Sequence, residues 1–280
     1  FRAAHYNNGE GGFCLPPRCS SIGLDTLLLT EAWTMRLRIP CSLAIAAMLL
    51  AASPVRAGLM GYWSFDDGTG TVLTDSSGRG NDGTLSGTSA LPTWVAGYTG
   101  QTADYALEFT GSASSNSSAD PYVALGTTSD LAISGNQTIS MWLYPTSFAS
   151  RQNPYNREYG GSGTLTQEPN GSINYYRGSA GADASPYTSI GSPSLTLNAW
   201  NFVTMVQDFD AGIVWWYVNG RTTTQATREV VAGNHPAYIG RGYVQSYTGM
   251  IDSTSIWNEA LQRSEVIALQ ESAYTPLQLG

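Results

Sequence analysis

Lysine is absent from all 280 residues, histidine occurs only at His5 and His235, and cysteine only at Cys14, Cys19 and Cys41. These absences exclude chemistry at the outset. Beyond residue 57 the chain has one histidine and no cysteine, so a zinc site of several His or Cys ligands and a thiol nucleophile have no material there. No G-x-S-x-G elbow occurs either. Without disulfides, this part must hold itself together through its apolar core. Basic charge is also scarce: the chain carries 13 basic and 21 acidic residues. From Gly58 onward, 8 arginines face 18 acidic residues, a net of −10. So acidic a surface argues against nucleic acid and anionic membranes as partners and leaves neutral ligands and cations.

Long apolar runs are missing too. The longest, residues 43–52, has ten residues, about half of the ~20 that cross a bilayer. It follows Met35, Arg36 and Arg38 and leads to small residues near Ala57, the pattern of a secretory signal peptide at 35–57. Residues 1–34 then precede a plausible initiator methionine and are expected to be an untranslated or disordered leader. The folded domain is expected over 58–274, with 275–280 as a tail and no membrane span in the mature chain. A bacterial, secreted or cell-surface location follows from this reading.

What is abundant is strand material. Runs rich in aromatic and β-branched residues recur at 59–65, 106–109, 122–125, 138–144, 172–176, 200–207, 213–218 and 237–239, separated by Gly, Asn, Asp, Ser and Pro. Short strands at such spacing imply an all-β sandwich or barrel. Asn170-Gly171 and Asn219-Gly220 mark hairpin turns, because that dipeptide accepts positive φ at both central positions. One helix is expected near 264–271, capped by Ser264. The polar stretch 151–158 reads as the longest loop between strong strands.

Residues 75–83, DSSGRGNDG, match G-x-G-x-x-G. The dinucleotide fingerprint has physical meaning only where a helix follows. Here the next residues are rich in Thr, Ser and Gly and end at Pro92, so the stretch reads as a double turn built on Asp and Asn. No paired-carboxylate strand motif occurs. The one close alternating pair, Asp208 and Asp210, flanks Phe209 before Ala211-Gly212. Glycoside hydrolysis needs two carboxylates ~5–9.5 Å apart, and no catalytic residue is assigned. Binding chemistry is better supplied: sugars offer C–H faces to aromatic rings and hydroxyls to amide, carboxylate and guanidinium groups. Tyr155, Arg157, Tyr159, Tyr176, Arg177 and Tyr243 lie in or beside loops and are the candidate ligand-binding residues.

Five stretches in order carry a family resemblance: residues 61–68 (GYWSFDDG), 75–83, 138–145 (TISMWLYP), 199–206 (AWNFVTMV) with 217–220 (YVNG), and 247–257 (YTGMIDSTSIW) leading to Glu265-Val266. Together they resemble the laminin-G-like domains of the concanavalin A-like jelly-roll group. Residues 151–159 match nothing in that pattern, and Ser253 stands where the family often has a second acidic residue. The resemblance implies an all-β jelly-roll β-sandwich of two antiparallel sheets with one short C-terminal helix. It also implies that the first strand and its following loop lie near the last strand, bringing Asp66, Asn81 and Asp252 within reach of a structural Ca²⁺. The implied function is a secreted, non-catalytic binding module for carbohydrate or a cell-surface or matrix partner. The alternative is a structural, self-assembling surface protein that uses the jelly roll as a building block.

Overall fold

The computed structural model describes residues 58–112, 117–157, 163–177, 188–226 and 235–279. The expected leader (1–34), the expected signal peptide (35–57) and Tyr159 lie outside the described residues.

In chain order the strands are β1 (Leu59–Trp63), β2 (Val72–Leu73), β3 (Gly83–Ser86), β4 (Thr93–Ala96), β5 (Tyr105–Thr110), β6 (Tyr122–Gly126), β7 (Gln137–Pro145) and β8 (Gln152–Asn156). They continue as β9 (Thr164–Gln167), β10 (Ile173–Arg177), β11 (Thr188–Gly191), β12 (Asn201–Asp208), β13 (Ile213–Val218), β14 (Arg221–Ala226), β15 (Ala237–Ile239), β16 (Gln245–Ser246) and β17 (Thr248–Trp257). Two short helices follow, α1 (Arg263–Gln270) and α2 (Pro276–Leu279).

Sheet A runs β14-β13-β12-β7-β17-β5-β4, with β1 also on β17; sheet B runs β11-β10-β9-β8-β15-β6-β3-β2, with β16 on β8. Side-chain alternation explains why the two sheets stack. Along β7, Ile139, Met141 and Leu143 enter the core between the sheets, where Val123 and Leu125 of β6 and Ile173 and Tyr175 of β10 meet them. The Tyr175 hydroxyl reaches across the core to within 2.8 Å of Gln207 Oε1 and 3.1 Å of Gln137 Oε1. The expected jelly-roll sandwich is the observed architecture.

Sheet A has a second apolar layer on its outer face. Phe202 and Val206 of β12, Tyr217 of β13 and Trp257 of β17 pack against Leu261 and against Val266 and Leu269 of α1. The helix therefore covers part of that face. It begins one residue earlier than expected and is capped differently: the Gln262 N–H donates to the Glu265 carboxylate at 2.7 Å, an acceptor that the Ser264 reading overlooked. The short α2, in the expected tail, is a further helical turn.

Two local readings change. The Asn219-Gly220 turn joins β13 to β14 with Val218 opposite Arg221, and both central residues have positive φ, 48° and 81°. At Asn170-Gly171 only the glycine does, with φ 81°. There the loop spans Glu168 to Ser172, the Glu168 N–H donating to Ser172 O at 2.8 Å, while Asn170 Oδ1 accepts from the Ser172 N–H and hydroxyl. The larger correction concerns 151–158. Instead of a loop, Gln152–Asn156 is strand β8 in the interior of sheet B, buried along its whole length. Pro154 and its polar neighbours hide the strand signal. Pro154 is tolerated because the ladder to β9 breaks register between Gln152 and Tyr155, the kind of bulge where a missing N–H does little harm.

Candidate functional site

On the side of the sandwich away from α1, the outer face of sheet B presents a row of polar and aromatic side chains. Core residues alternate with outward ones: Val123 inward and Tyr122 outward, Ile239 inward and Tyr238 outward, Leu165 inward and Thr166 outward, Ile173 inward and Asn174 outward.

At the β9–β10 end of this face lies an open groove of about 750 Å³ lined by Arg151, Glu168, Asn170, Asn174, Ser192 and Ser194, among others. The β9–β10 connection places Glu168 against Arg151, whose Nε donates to Oε2 at 3.0 Å and to Oε1 at 3.2 Å. Glu168 Oε1 also accepts from Asn174 Nδ2 at 3.1 Å. The opposite wall, residues 191–195, is tied down by backbone bonds from Ser192 N–H to Ile173 O and from Leu195 N–H to Gly171 O, each 2.8 Å. Arg221 reinforces it by donating to Ser194 O. The groove thus presents a guanidinium, a carboxylate, amides and hydroxyls fixed by one another. Such a set suits vicinal hydroxyls, each of which both donates and accepts. Its described lining holds one carboxylate, Glu168, and a carboxylate pair for acid/base hydrolysis is not among those residues. Asp208 and Asp210 serve turn geometry instead, accepting from the Ala211 N–H and from Asn136 Nδ2.

Further along the same face, the rings of Tyr122 and Tyr238 meet edge to face with centroids 5.6 Å apart. The Arg241 guanidinium lies over both, 4.7 Å and 4.9 Å from the ring centroids. Just beyond it the chain crosses β8 in close contact. Asn153 Oδ1 accepts from the Val244 N–H at 2.9 Å, and a Cβ at Gly242 would sit 2.4 Å from that same oxygen. Gly242→Ala is therefore expected to push this segment outward. The check is faster amide hydrogen exchange at Val244, with global stability changed by less than about 1 kcal/mol. Tyr243, on the crest, is 50% exposed.

Of the residues expected to bind ligand, Tyr243 is on the surface. Tyr155 and Arg157 are fully buried. Tyr155 belongs to the central core, and burial pushes its hydroxyl well above the ordinary range despite the opposing influence of Arg157. Tyr155 is hidden because Gln152–Asn156 is an interior strand and not a loop, and Arg157 is buried just beyond its end. The backbones of Tyr176 and Arg177 end β10; their side chains lie outside the described residues. Arg151, Glu168, Asn174, Tyr122, Tyr238 and Arg241 were missed. For Tyr122, Asn174 and Tyr238 the signal is alternation, because each inward strand neighbour assigns them to the outer face; Arg151, Glu168 and Arg241 lie outside the strands and carry no such signal.

The three expected calcium ligands lie in different surroundings. Asn81 is buried beneath the first loop, with Nδ2 donating to Met60 O at 2.8 Å and its carbonyl accepting from Trp63 Nε1 at 2.9 Å. Asp66 is exposed. Asp252 is buried on β17, where Oδ2 accepts from the Tyr98 N–H at 3.0 Å. Among the described residues no three His, Cys, Asp or Glu side chains converge in a metal-binding arrangement. The loop at 75–83 is closed from within: the Asp75 carboxylate accepts from the N–H groups of Tyr62, Ser77 and Asn81 and from the Ser77 hydroxyl, at 2.8–3.0 Å.

No curated protein matches the chain. Several solved structures share its fold. Domain 4 of AbnA, a GH43 extracellular arabinanase from Geobacillus stearothermophilus, in complex with arabinotriose, is 19% identical with a TM-score of 0.56, over 75% of this chain and 97% of that one. Trypanosoma rangeli sialidase in complex with sialic acid is 17% identical with a TM-score of 0.53, over 78% of this chain but 33% of the sialidase. The binding domain of botulinum neurotoxin DC in complex with SialylT is 15% identical with a TM-score of 0.57, over 77% of this chain and 51% of that one. A family model described as the concanavalin A-like lectin/glucanases superfamily matches residues 116–267, the stretch that contains β6 to β17. The chain belongs to this superfamily.

Proposed function

We propose that the domain is a non-catalytic carbohydrate-binding module, exported to act on an extracellular or cell-surface glycan, and that it binds through the outer face of sheet B. The observation that carries this reading is the Arg151–Glu168–Asn174 arrangement in an open polar groove. It offers preset donors and acceptors together with a single described carboxylate. The fold-mate seen with arabinotriose, 97% of whose chain is matched, supports the reading as a precedent for a glycan ligand on this fold.

The test is retention of the full chain on immobilised arabinan, xylan, galactan, β-glucan and sialylated glycans, with free sugar as competitor. Competable retention on at least one is expected. Asn174→Ala should weaken it about tenfold, the value of one well-placed hydrogen bond, with the melting temperature unchanged within about 2 °C. Absence of retention on every glycan by protein that melts cooperatively would overturn the reading. Retention indifferent to Asn174→Ala would move the site elsewhere.

A further inference from the structure

We infer that the Tyr122–Tyr238–Arg241 cluster and Tyr243 form a second carbohydrate contact on the same face, so that the module grips an extended oligosaccharide rather than a single sugar or chain end. This rests on the glycan reading of the polar groove.

The strand registers place both contacts in one row. Asn174 on β10 lies opposite Thr166 on β9, and Asn153 on β8 donates to that Thr166 hydroxyl at 2.9 Å. Asn153 in turn holds the crest that carries Tyr243. Gly240 N–H donates to Pro154 O at 2.9 Å, so Arg241 leaves sheet B at the same level, and its guanidinium folds back over Tyr238 and Tyr122. From β10 to β6 the row crosses four strand spacings, roughly 19 Å at ~4.8 Å each, more than one sugar ring can bridge.

The chemistry changes along the row in a way that fits one chain. The groove supplies hydrogen bonds to hydroxyls. The crest supplies the Tyr243 ring for sugar C–H groups, and at the far cluster the Arg241 guanidinium, laid over the Tyr122 and Tyr238 rings, offers a flat stacking surface with donors at its edge. Tyr243 has no part in the core and stands half exposed between the two. The Asn153 bond to Val244 and the close Gly242 contact hold the backbone on either side of it, so the crest that carries the ring is fixed in place.

The experiment is calorimetric titration of the full chain with arabinan, xylan, galactan and β-glucan oligosaccharides of one, three and six residues. For any backbone that binds, the six-residue chain is expected to bind at least tenfold more tightly than the three-residue chain. Tyr243→Ala and Arg241→Gln should each cut the six-residue affinity about tenfold and leave the three-residue affinity unchanged. Tyr243→Phe, which keeps the ring, should retain wild-type affinity, and thermal melts establish that each variant is folded. Equal affinity for three and six residues, or six-residue binding that ignores Tyr243→Ala and Arg241→Gln, would overturn the extended site while leaving the groove intact. No binding by any of these oligosaccharides, together with no retention on any immobilised glycan, would overturn the groove reading and the extended site with it.

Discussion

Replacing Asp75 with alanine is expected to cost on the order of 3 kcal/mol of unfolding free energy, a large effect for a residue in a surface-loop sequence. The reason is the number and burial of the groups that depend on it. Asp75 is 7% exposed, and its carboxylate accepts from the peptide N–H groups of Tyr62 at 3.0 Å and of Ser77 and Asn81 at 2.9 Å. Tyr62 lies in β1 and Asn81 is itself buried, so deletion strands donors where water does not replace the acceptor. The damage extends past the loop, because Asn81 also ties down the Met60 carbonyl and supplies the acceptor for the Trp63 indole. β1 is the strand that docks the start of the domain on β17. Asp75→Asn keeps one acceptor oxygen and should fall between wild type and alanine. Urea unfolding followed by tryptophan fluorescence measures both. A loss below about 0.5 kcal/mol for Asp75→Ala would show that the loop closes without its carboxylate.

That same loop shows how much the sequence discloses and where it stops. The double turn on Asp and Asn was legible in residues 75–83, since Gly78 and Gly80, both at positive φ, punctuate it. Which aspartate organises it was not, because Asp75, Asp82 and Asn81 are equally good turn formers until β1 supplies the Tyr62 N–H. β7 is legible because its core residues Ile139, Met141 and Leu143 recur with period two, and β13 because IVWWYV is an unbroken run of aromatic and aliphatic residues that serves both apolar layers of sheet A. β8 is not. Its QNPYN sequence has one apolar residue at the core, Tyr155, and its remaining burial comes from partners far along the chain, Val244 and Thr248. No local pattern encodes such cover. The candidate site failed in sequence for the same reason. Tyr155 and Arg157 drew attention as loop residues, whereas the groove depends on Arg151 meeting Glu168, 17 positions away, and on Asn174 turning outward.

Stability is expected to fall as pH rises from about 4 to about 9, and Asp252→Asn should remove much of that fall. Asp252 sits where sheet A divides: β5 pairs with β17 up to Ile251 and β1 from Thr254 onward, leaving Asp252 and Ser253 in between at a bulge where Ser253 takes φ 44°. Its carboxylate is closed in by Tyr98, whose ring stacks on Trp142 at 4.2 Å, the residue opposite Asp252 on β7. Oδ2 accepts the Tyr98 N–H, while Oδ1 has no hydrogen-bond partner among the described residues. Burial raises the carboxyl to about 8, with the nearby charges of Asp104 and Asp66 adding to the shift and the Tyr98 and Ser253 N–H groups opposing it. The surrounding titratable groups shift upward too: Tyr62 to about 12 by burial, and Tyr98 and Asp66 by burial, with acidic neighbours adding to each shift. The sign follows from proton counting. Between the unfolded carboxyl value near 4 and the folded value near 8, the native state holds a proton that the unfolded chain has released, so each step up in pH favours unfolding. The contribution is fully present below about pH 4 and gone above about pH 8, a change on the order of several kcal/mol. Asn keeps the oxygen that receives the Tyr98 N–H and replaces Oδ1 with an uncharged amide in the field of Asp66 and Asp104. The variant should match wild type within about 1 kcal/mol at pH 4 and exceed it by several at pH 9, as measured by urea unfolding at both values. Equal slopes for the two proteins would mean that Asp252 ionises at its ordinary pH and that its pocket admits water. Repeating the titration with calcium chloride separates a buried acid from a cation ligand: alkaline rescue by calcium in wild type but not in Asp252→Asn would show that the Asp66, Asp104 and Asp252 carboxylates close on a metal when one is supplied.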